Sequence, residues 1–276
     1  MQSNVGIRLR VKYTKLGKVR FVSHRDGARL WERALRRVDL PVAYTEGFTP
    51  RPKVGFGLAL PTAAESLAEY VDLDLSRDAS LDATDPGWDD WLRGLTGSLS
   101  AALPTGMDVV AIAERDASDG SLQESVTSTT WELTGWGTEP GLVDELDTSL
   151  QRVLAADEVF VERERKGQRR TDDVRPLISD LTLRGSDDGP AVVADLVTIG
   201  RALRPSELAE LIRPGIDGTG IRVLRTHQWI DIDGERRDVI PDARHSNGTN
   251  HHDRPREHVV EERRRTARSY AGGQAQ

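Results

Sequence analysis

The chain has 276 residues, 37% of them hydrophobic and 30% charged, with no cysteine and a formal net charge of −7. That length is a soft prior for two domains with lean cores. The missing cysteines exclude disulfides, thiolate catalysis, cysteine-built zinc sites and iron–sulfur clusters, and no run of about eighteen apolar residues offers a transmembrane helix.

The opening MQSNVGIRLRVKY has no apolar h-region, so no secretory signal is expected and the cytoplasm is the expected location. Within it, IRLRVKY (7–13) alternates apolar and basic residues, as a strand does. Ser23 with Asp26 three residues on resembles a capping box, and Trp31, Ala34, Leu35 and Val38 then recur at helical spacing, predicting a helix over 24–38. LPVAYTE (40–46) reads as a short strand and SLAEYVDLDL (66–75) as a clear one. A helix over 87–103, ended by Pro104, and a strand over 106–114 follow. The order β-α-β-β-α-β is that of the ferredoxin-like split βαβ motif.

The second half repeats this order. Strands are expected at 125–136, 158–167, 191–200 and 221–232, with LTLRG (181–185) as an extra one. Helices are expected at 139–155, with a proline near its start, and at 204–215, with Ser206 as the cap. The expected fold is therefore α+β: two tandem ferredoxin-like domains with antiparallel sheets, over 1–115 and 122–235. The polar stretch RDASDGSLQE (115–124) would join them. From residue 236 to 276 the chain is polar and rich in Pro, Gly and Asn, and is expected to be a disordered tail.

Charge is distributed unevenly along this plan. Residues 1–57 hold 13 Lys and Arg against 4 Asp and Glu, whereas the rest holds 25 against 41. Charge scatter on solvated faces is the bland explanation; an anionic partner at the N-terminal end is the sharper one. Arg25, Arg29, Arg33 and Arg36 fall at spacings of four, four and three, on a helix face away from Trp31 and Leu35. Guanidinium forks suit phosphate, although a plain solvated face would look similar. His24 follows Ser23 at the helix start, where it serves as a capping-region histidine, a general acid or base, or a phosphate donor.

EGFTPRPKVGFG (46–57) lies between two expected strands. Pro50 and Pro52 force extended backbone at Thr49 and Arg51. Arg51 and Lys53 bring charge, and Phe48 and Phe56 bring rings for packing or stacking. Basic residues interleaved with aromatics fit single-stranded nucleic acid, while an ordered loop with two core phenylalanines would need the same residues. A P-loop is excluded, since no GxxxxGK[ST] occurs. In the second half Arg163, Arg165, Lys166, Arg169 and Arg170 form a basic turn, with Asp172 and Asp173 as local ion-pair partners. His251, His252 and Asp253 have metal-binding side chains, but they lie in the expected tail and are read as adventitious.

The run 20–73 resembles a bacterial family of radical SAM-linked proteins. Arg20 and Phe21 precede Ser23, His24 and Asp26, and Trp31 and Arg33 lie on the helix. Leu40-Pro41, Gly47-Phe48 with Pro50 and Pro52, Phe56-Gly57, Leu60-Pro61, Glu65-Ser66 and Glu69 complete the pattern. RKGQRRTDDVRPLI (165–178) is similar to the family's second half. The resemblance covers about residues 5–230. It implies a protein of a kind that occurs alone or joined to radical SAM enzymes, with free-standing members often encoded near ribonuclease and ribosomal-protein genes. It brings no established activity. Without cysteine, this chain cannot itself be a radical SAM enzyme. The tandem layout, with a histidine after the first strand and a glycine-rich basic segment, is also similar to CRISPR RNA-processing endonucleases.

These observations lead to an RNA-binding accessory factor for tRNA or rRNA modification or processing. Its site would be built from Arg20, Arg25, Arg29, Arg33, Phe48, Arg51 and Lys53, with Arg165, Lys166 and Arg169 from the second half. Two alternatives stay open: metal-independent RNA cleavage with His24 as acid and base, and a module that docks a separate radical SAM enzyme. No cofactor, bound metal or membrane contact is expected.

Overall fold

The computed structural model describes residues 5–240, apart from 78–80, 116–118, 166, 187–188, 199, 217 and 219. The fold is mixed α+β, with a mostly antiparallel sheet and five α-helices among the described residues.

The first half runs β1 (Val5–Lys15), α1 (His24–Arg37), β2 (Val54–Phe56), β3 (Glu65–Ser76), α2 (Trp88–Ala102) and β4 (Val109–Glu114). After α3 (Leu122–Ser125), the second half runs β5 (Val126–Thr134), α4 (Leu142–Ala155), β6 (Phe160–Arg165), β7 (Gln168–Asp173), β8 (Ile178–Ser186), β9 (Gly189–Val197), α5 (Pro205–Ile212), β10 (Arg222–Ile232) and β11 (Glu235–Asp238). Nine strands form one sheet in the order β4-β1-β3-β10-β5-β9-β8, with β2 added to β3 and β11 to β10. Among the described residues, strands β6 and β7 pair only with each other.

Side-chain alternation divides the sheet into two faces. Leu9, Val11 and Tyr13 of β1 and Val71, Leu73 and Leu75 of β3 pack with Trp31 and Leu35 of α1 and with Leu95 and Leu99 of α2. In the second half, Trp131 and Leu133 of β5 and Val192, Ala194 and Leu196 of β9 pack with Leu146 and Leu150 of α4 and Leu208 of α5. On the opposite face, Ala68 and Tyr70 meet Leu122, Val126, Val239 and Ile240.

The two halves meet at β3 and β10, the sheet's only parallel pairing among the described residues, which joins Leu224 to Glu65 and Arg225 to Ser66. Buried polar groups staple this seam. Arg225 donates to the Glu69 carboxylate at 2.5 Å and to the Leu58 carbonyl at 2.9 Å. Just past the parallel register, the Gln228 amide donates to the Ala68 carbonyl at 2.5 Å.

Several expected elements shift. The strand expected at 40–46 is reduced to isolated bridges, Val42 with Leu75 and Tyr44 with Pro52, and the regular strand lies at Val54–Phe56. Pro41 and Pro52 have no N–H to give a ladder, which shortens any pairing there. The extra strand at 181–185 is a full sheet member, β8, which hydrogen-bonds along β9. Arg204, not Ser206, is the N-cap residue of α5, and Glu207 reaches back to accept from the Arg204 N–H at 2.9 Å. The polar segment before residue 240 is not a tail: β11 pairs with β10, and Val239 and Ile240 are buried. Those two apolar residues have a sheet face to cover. Residues 241–276 lie outside the described residues, including His251, His252 and Asp253.

Candidate functional site

Helix α1 begins as expected. Ser23 Oγ accepts from the Asp26 N–H at 3.1 Å and donates to the Asp26 carboxylate at 2.7 Å. That hydrogen bond, helped by Arg29, holds the Asp26 carboxyl below the usual carboxylate range. Because Trp31, Ala34 and Leu35 face the core, Arg25, Arg29, Arg33 and Arg36 are left on the exposed side. Arg29 pairs with Asp26 at 3.1 Å. Arg33 donates to the Arg29 carbonyl at 3.2 Å. Arg25 and Arg36 have no ion-pair partner among the described residues. Arg20, on the turn before α1, sits 3.5 Å from Glu65 and lies over the Phe21 ring at 4.7 Å.

The loop 46–53 stands out from the body. Phe48 is fully exposed and Arg51 is exposed without an ion-pair partner among the described residues. The loop closes on itself: the Thr45 N–H donates to the Arg51 carbonyl at 2.8 Å, and the Arg51 N–H donates to Thr45 Oγ1 at 3.0 Å. The two phenylalanines therefore divide. Phe48 is free, whereas Phe56 joins the first-half core and meets the His24 ring edge-on at 5.4 Å.

Behind His24 lies a narrow pocket that also holds Tyr13, Lys15, Glu69 and Met107. Lys15 is buried and donates to the Val22 carbonyl at 2.8 Å. Burial pushes its amine below the usual lysine range, and the Glu69 charge opposes that push. Burial likewise pushes the Tyr13 hydroxyl well above its ordinary value. An imidazole at the mouth of a pocket containing an amine and a carboxylate can transfer protons. No group of three or more metal-binding side chains occurs among the described residues.

Lys53 is placed differently. It lines a second cavity with Gly55, Asp72, Asp74 and Arg115, and Phe56 borders both cavities. The hairpin residues are separate again, because β6 and β7 form their own small sheet. Arg165 pairs with Gln168 near the turn, Arg169 is exposed opposite Glu164, and Lys166 lies outside the described residues. Arg163 is buried, bonded to Glu207 at 2.5 Å and 2.9 Å and to Asp172 at 3.4 Å.

Residues 8–205 match a family model described as uncharacterized proteins conserved in bacteria, DUF2344. The chain belongs to this family. No curated protein matches the chain. The DUF2344 span contains α1, the loop, both cavities and the β6–β7 hairpin, so every predicted site residue falls within it.

Within this span, reasoning from sequence missed Lys15, Glu69, Asp72 and Arg115. Charged residues on an alternating strand read as solvent-facing. Glu69 and Asp72 differ from that expectation because each meets a cation brought from far along the chain, Arg225 and Arg10 respectively. The available signal was the density of charge in a strand otherwise apolar enough to be central, ESLAEYVDLDL.

Proposed function

We propose that this DUF2344 protein binds RNA along the outer side of α1 and the proline-rich loop, as an accessory factor in tRNA or rRNA modification or processing. One observation carries this reading: Arg25, Arg33, Arg36 and Arg51 are exposed cations that take no ion-pair partner among the described residues, beside a fully exposed Phe48. Guanidinium groups grip phosphate oxygens in pairs, and a free ring stacks on any base. The fold reading that accompanies it is two tandem ferredoxin-like units sharing one sheet. The matching strand orders β4-β1-β3-β2 and β10-β5-β9-β8 support it.

The test is fluorescence anisotropy with single-stranded RNA over a range of salt. Affinity should fall steeply as salt rises, and changing Arg25, Arg29 and Arg33 together to alanine should flatten the slope. Phe48→Ala should weaken binding by about 1–3 kcal/mol. Undetectable binding at low salt overturns the proposal. Recovery of a radical SAM enzyme, without RNA, from crosslinked cells would favour the docking alternative.

A second reading rests on His24 at the mouth of the Lys15–Glu69 pocket. In it His24 serves as acid and base in metal-independent RNA cleavage. Cellular RNA incubated with the protein in EDTA would be cut by the native chain and spared by His24→Ala. Equal product patterns would remove the idea.

A further inference from the structure

The second cavity that Phe56 borders has a volume of about 470 Å³ and is lined by residues including Lys53, Gly55, Asp72, Asp74, Arg115 and Leu122. That size lies within the usual range of small-molecule sites, about 300–1,000 Å³.

Its charges do not cancel. Asp72 is held by Arg10 at 2.7 Å and by Arg115 at 3.2 Å, and Asp74 by Arg8 at 3.8 Å. Both carboxylates are therefore neutralised by arginines. Lys53 is left as a half-buried cation with no ion-pair partner among the described residues. Arg115 gives its terminal nitrogens to Asp72 and to the carbonyls of Asp119 and Gly120, and keeps a buried Nε–H without a hydrogen-bond partner. An orphaned donor on a buried charge is costly unless something accepts from it. Together these groups favour an anion.

The rest of the lining suits a planar polar group. The Asp74 N–H donates to the Lys53 carbonyl and the Gly57 N–H to the Tyr70 carbonyl, so the peptide groups facing β3 belong to residues 53, 55 and 57. Alternation then turns the N–H and C=O of Val54 and Phe56 away from β3, along an open strand edge. Leu122 supplies an apolar contact, and Gln123 an amide.

We propose that this cavity binds a nucleotide unit, with Lys53 holding its phosphate beside the Arg115 charge and the Val54–Phe56 edge facing its base. The nucleotide comes either from a bound RNA strand or from the free pool; the chemistry is the same. The site goes beyond the α1 surface: its other charged groups, Asp72, Asp74 and Arg115, come from β3 and the residue after β4, and Lys53 alone is shared with the proline-rich loop.

Saturation-transfer NMR on the full chain with an equimolar mixture of AMP, GMP, CMP and UMP tests this, followed by titration of the strongest binder. At least one nucleotide should bind. Lys53→Ala should weaken it at least tenfold, and so should Gln123→Trp, which fills the cavity without altering charge and reports even if the lysine matters to folding. An RNA oligonucleotide that displaces the nucleotide from the native chain assigns the site to a strand residue; no displacement assigns it to the free pool. Silence for all four nucleotides, indifference to both variants, or equally tight binding of inorganic phosphate overturns the proposal. Loss of RNA binding in the Arg25, Arg29 and Arg33 variant with nucleotide binding intact separates this site from the α1 surface.

Discussion

The two halves of the sheet share a strand order, but Arg163 of the second and the α1 arginines of the first are used in opposite ways. In the second half several arginines are consumed internally. Arg163 is tied to Glu207 and Asp172, Arg201 to Asp172, Arg213 to Glu139 and Glu145, and the Arg175 guanidinium donates to the carbonyls of Leu154, Ala156 and Ile178. In the first half Arg25, Arg33, Arg36 and Arg51 point outward without ion-pair partners among the described residues. The basic hairpin and the basic helix look alike in composition. What separates Arg163 from the α1 arginines is that the fold has already supplied its counter-charge, whereas Arg169 and Arg170, exposed on the hairpin without ion-pair partners among the described residues, side with the α1 set as candidates for an outside anion.

The comparison can be broken first where the halves join. Arg225 is 1% exposed and holds the buried Glu69. Removing one partner of a buried ion pair leaves the other charge stranded, so Arg225→Ala should cost about 3–5 kcal/mol in denaturant unfolding. Arg225→Met combined with Glu69→Leu should recover most of that. A loss below about 1 kcal/mol for the single variant would mean that the seam carries little of the stability. Within the second half, Glu207→Ala takes from Arg163 its two-pronged partner, leaving Asp172 and the Ala202 carbonyl, and removes the acceptor for the Arg204 N–H. It should cost about 2 kcal/mol, measured the same way. A negligible loss would show that the arginines of this half are not structural after all.

Much of this architecture is legible in the sequence, and the gaps have physical causes. The helices over 24–38 and 87–103 emerge within a residue or two, because their apolar spacing coincides with core contacts made by Trp31, Leu35, Leu95 and Leu99. The strand at 40–46 fails because Ala43 and its neighbours are apolar enough for a strand but flanked by prolines. β11 escapes notice because ERRD is held by backbone pairing to β10, which leaves no apolar pattern. The candidate site is half visible. Arginine spacing on α1 follows from helical geometry alone, whereas Lys53 and Arg115 share a cavity only through the pairing of β2 with β3 and the turn into α3.

Acid and base should act on the halves differently. His227 stacks on Trp229 at 4.7 Å, and burial depresses its pKa from 6.5, with Asp238 and Asp195 opposing that shift and Lys12 and Arg236 reinforcing it. The unfolded chain then binds more protons than the folded one just below pH 6.5, so stability is complete above that pH and is lost as pH falls through the folded value. His227→Gln should flatten this acid limb in thermal melts at graded pH; an unchanged limb would place the sensitivity elsewhere. Lys15 in the first half behaves the same way at the other end of the scale. Its depressed pKa makes the folded chain lose a proton first, so stability should rise as pH climbs toward 10.5, and Lys15→Met should abolish the rise.

The smallest expected effect is the most discriminating. Changing Arg25, Arg29 and Arg33 together to alanine removes one exposed ion pair, Arg29 with Asp26, and a bond from Arg33 to a helix carbonyl. An exposed pair contributes about 0–1 kcal/mol, and alanine is the better helix former by a few tenths of a kcal/mol at each site. These terms nearly cancel, so unfolding free energy should move by no more than about 0.5 kcal/mol. Glu207→Ala replaces a single residue and should cost several times more. If the triple variant proves as destabilising as Glu207→Ala, the α1 arginines belong to the fold, as Arg163 does. If stability holds while the salt dependence of RNA binding flattens, these cations are kept for a partner.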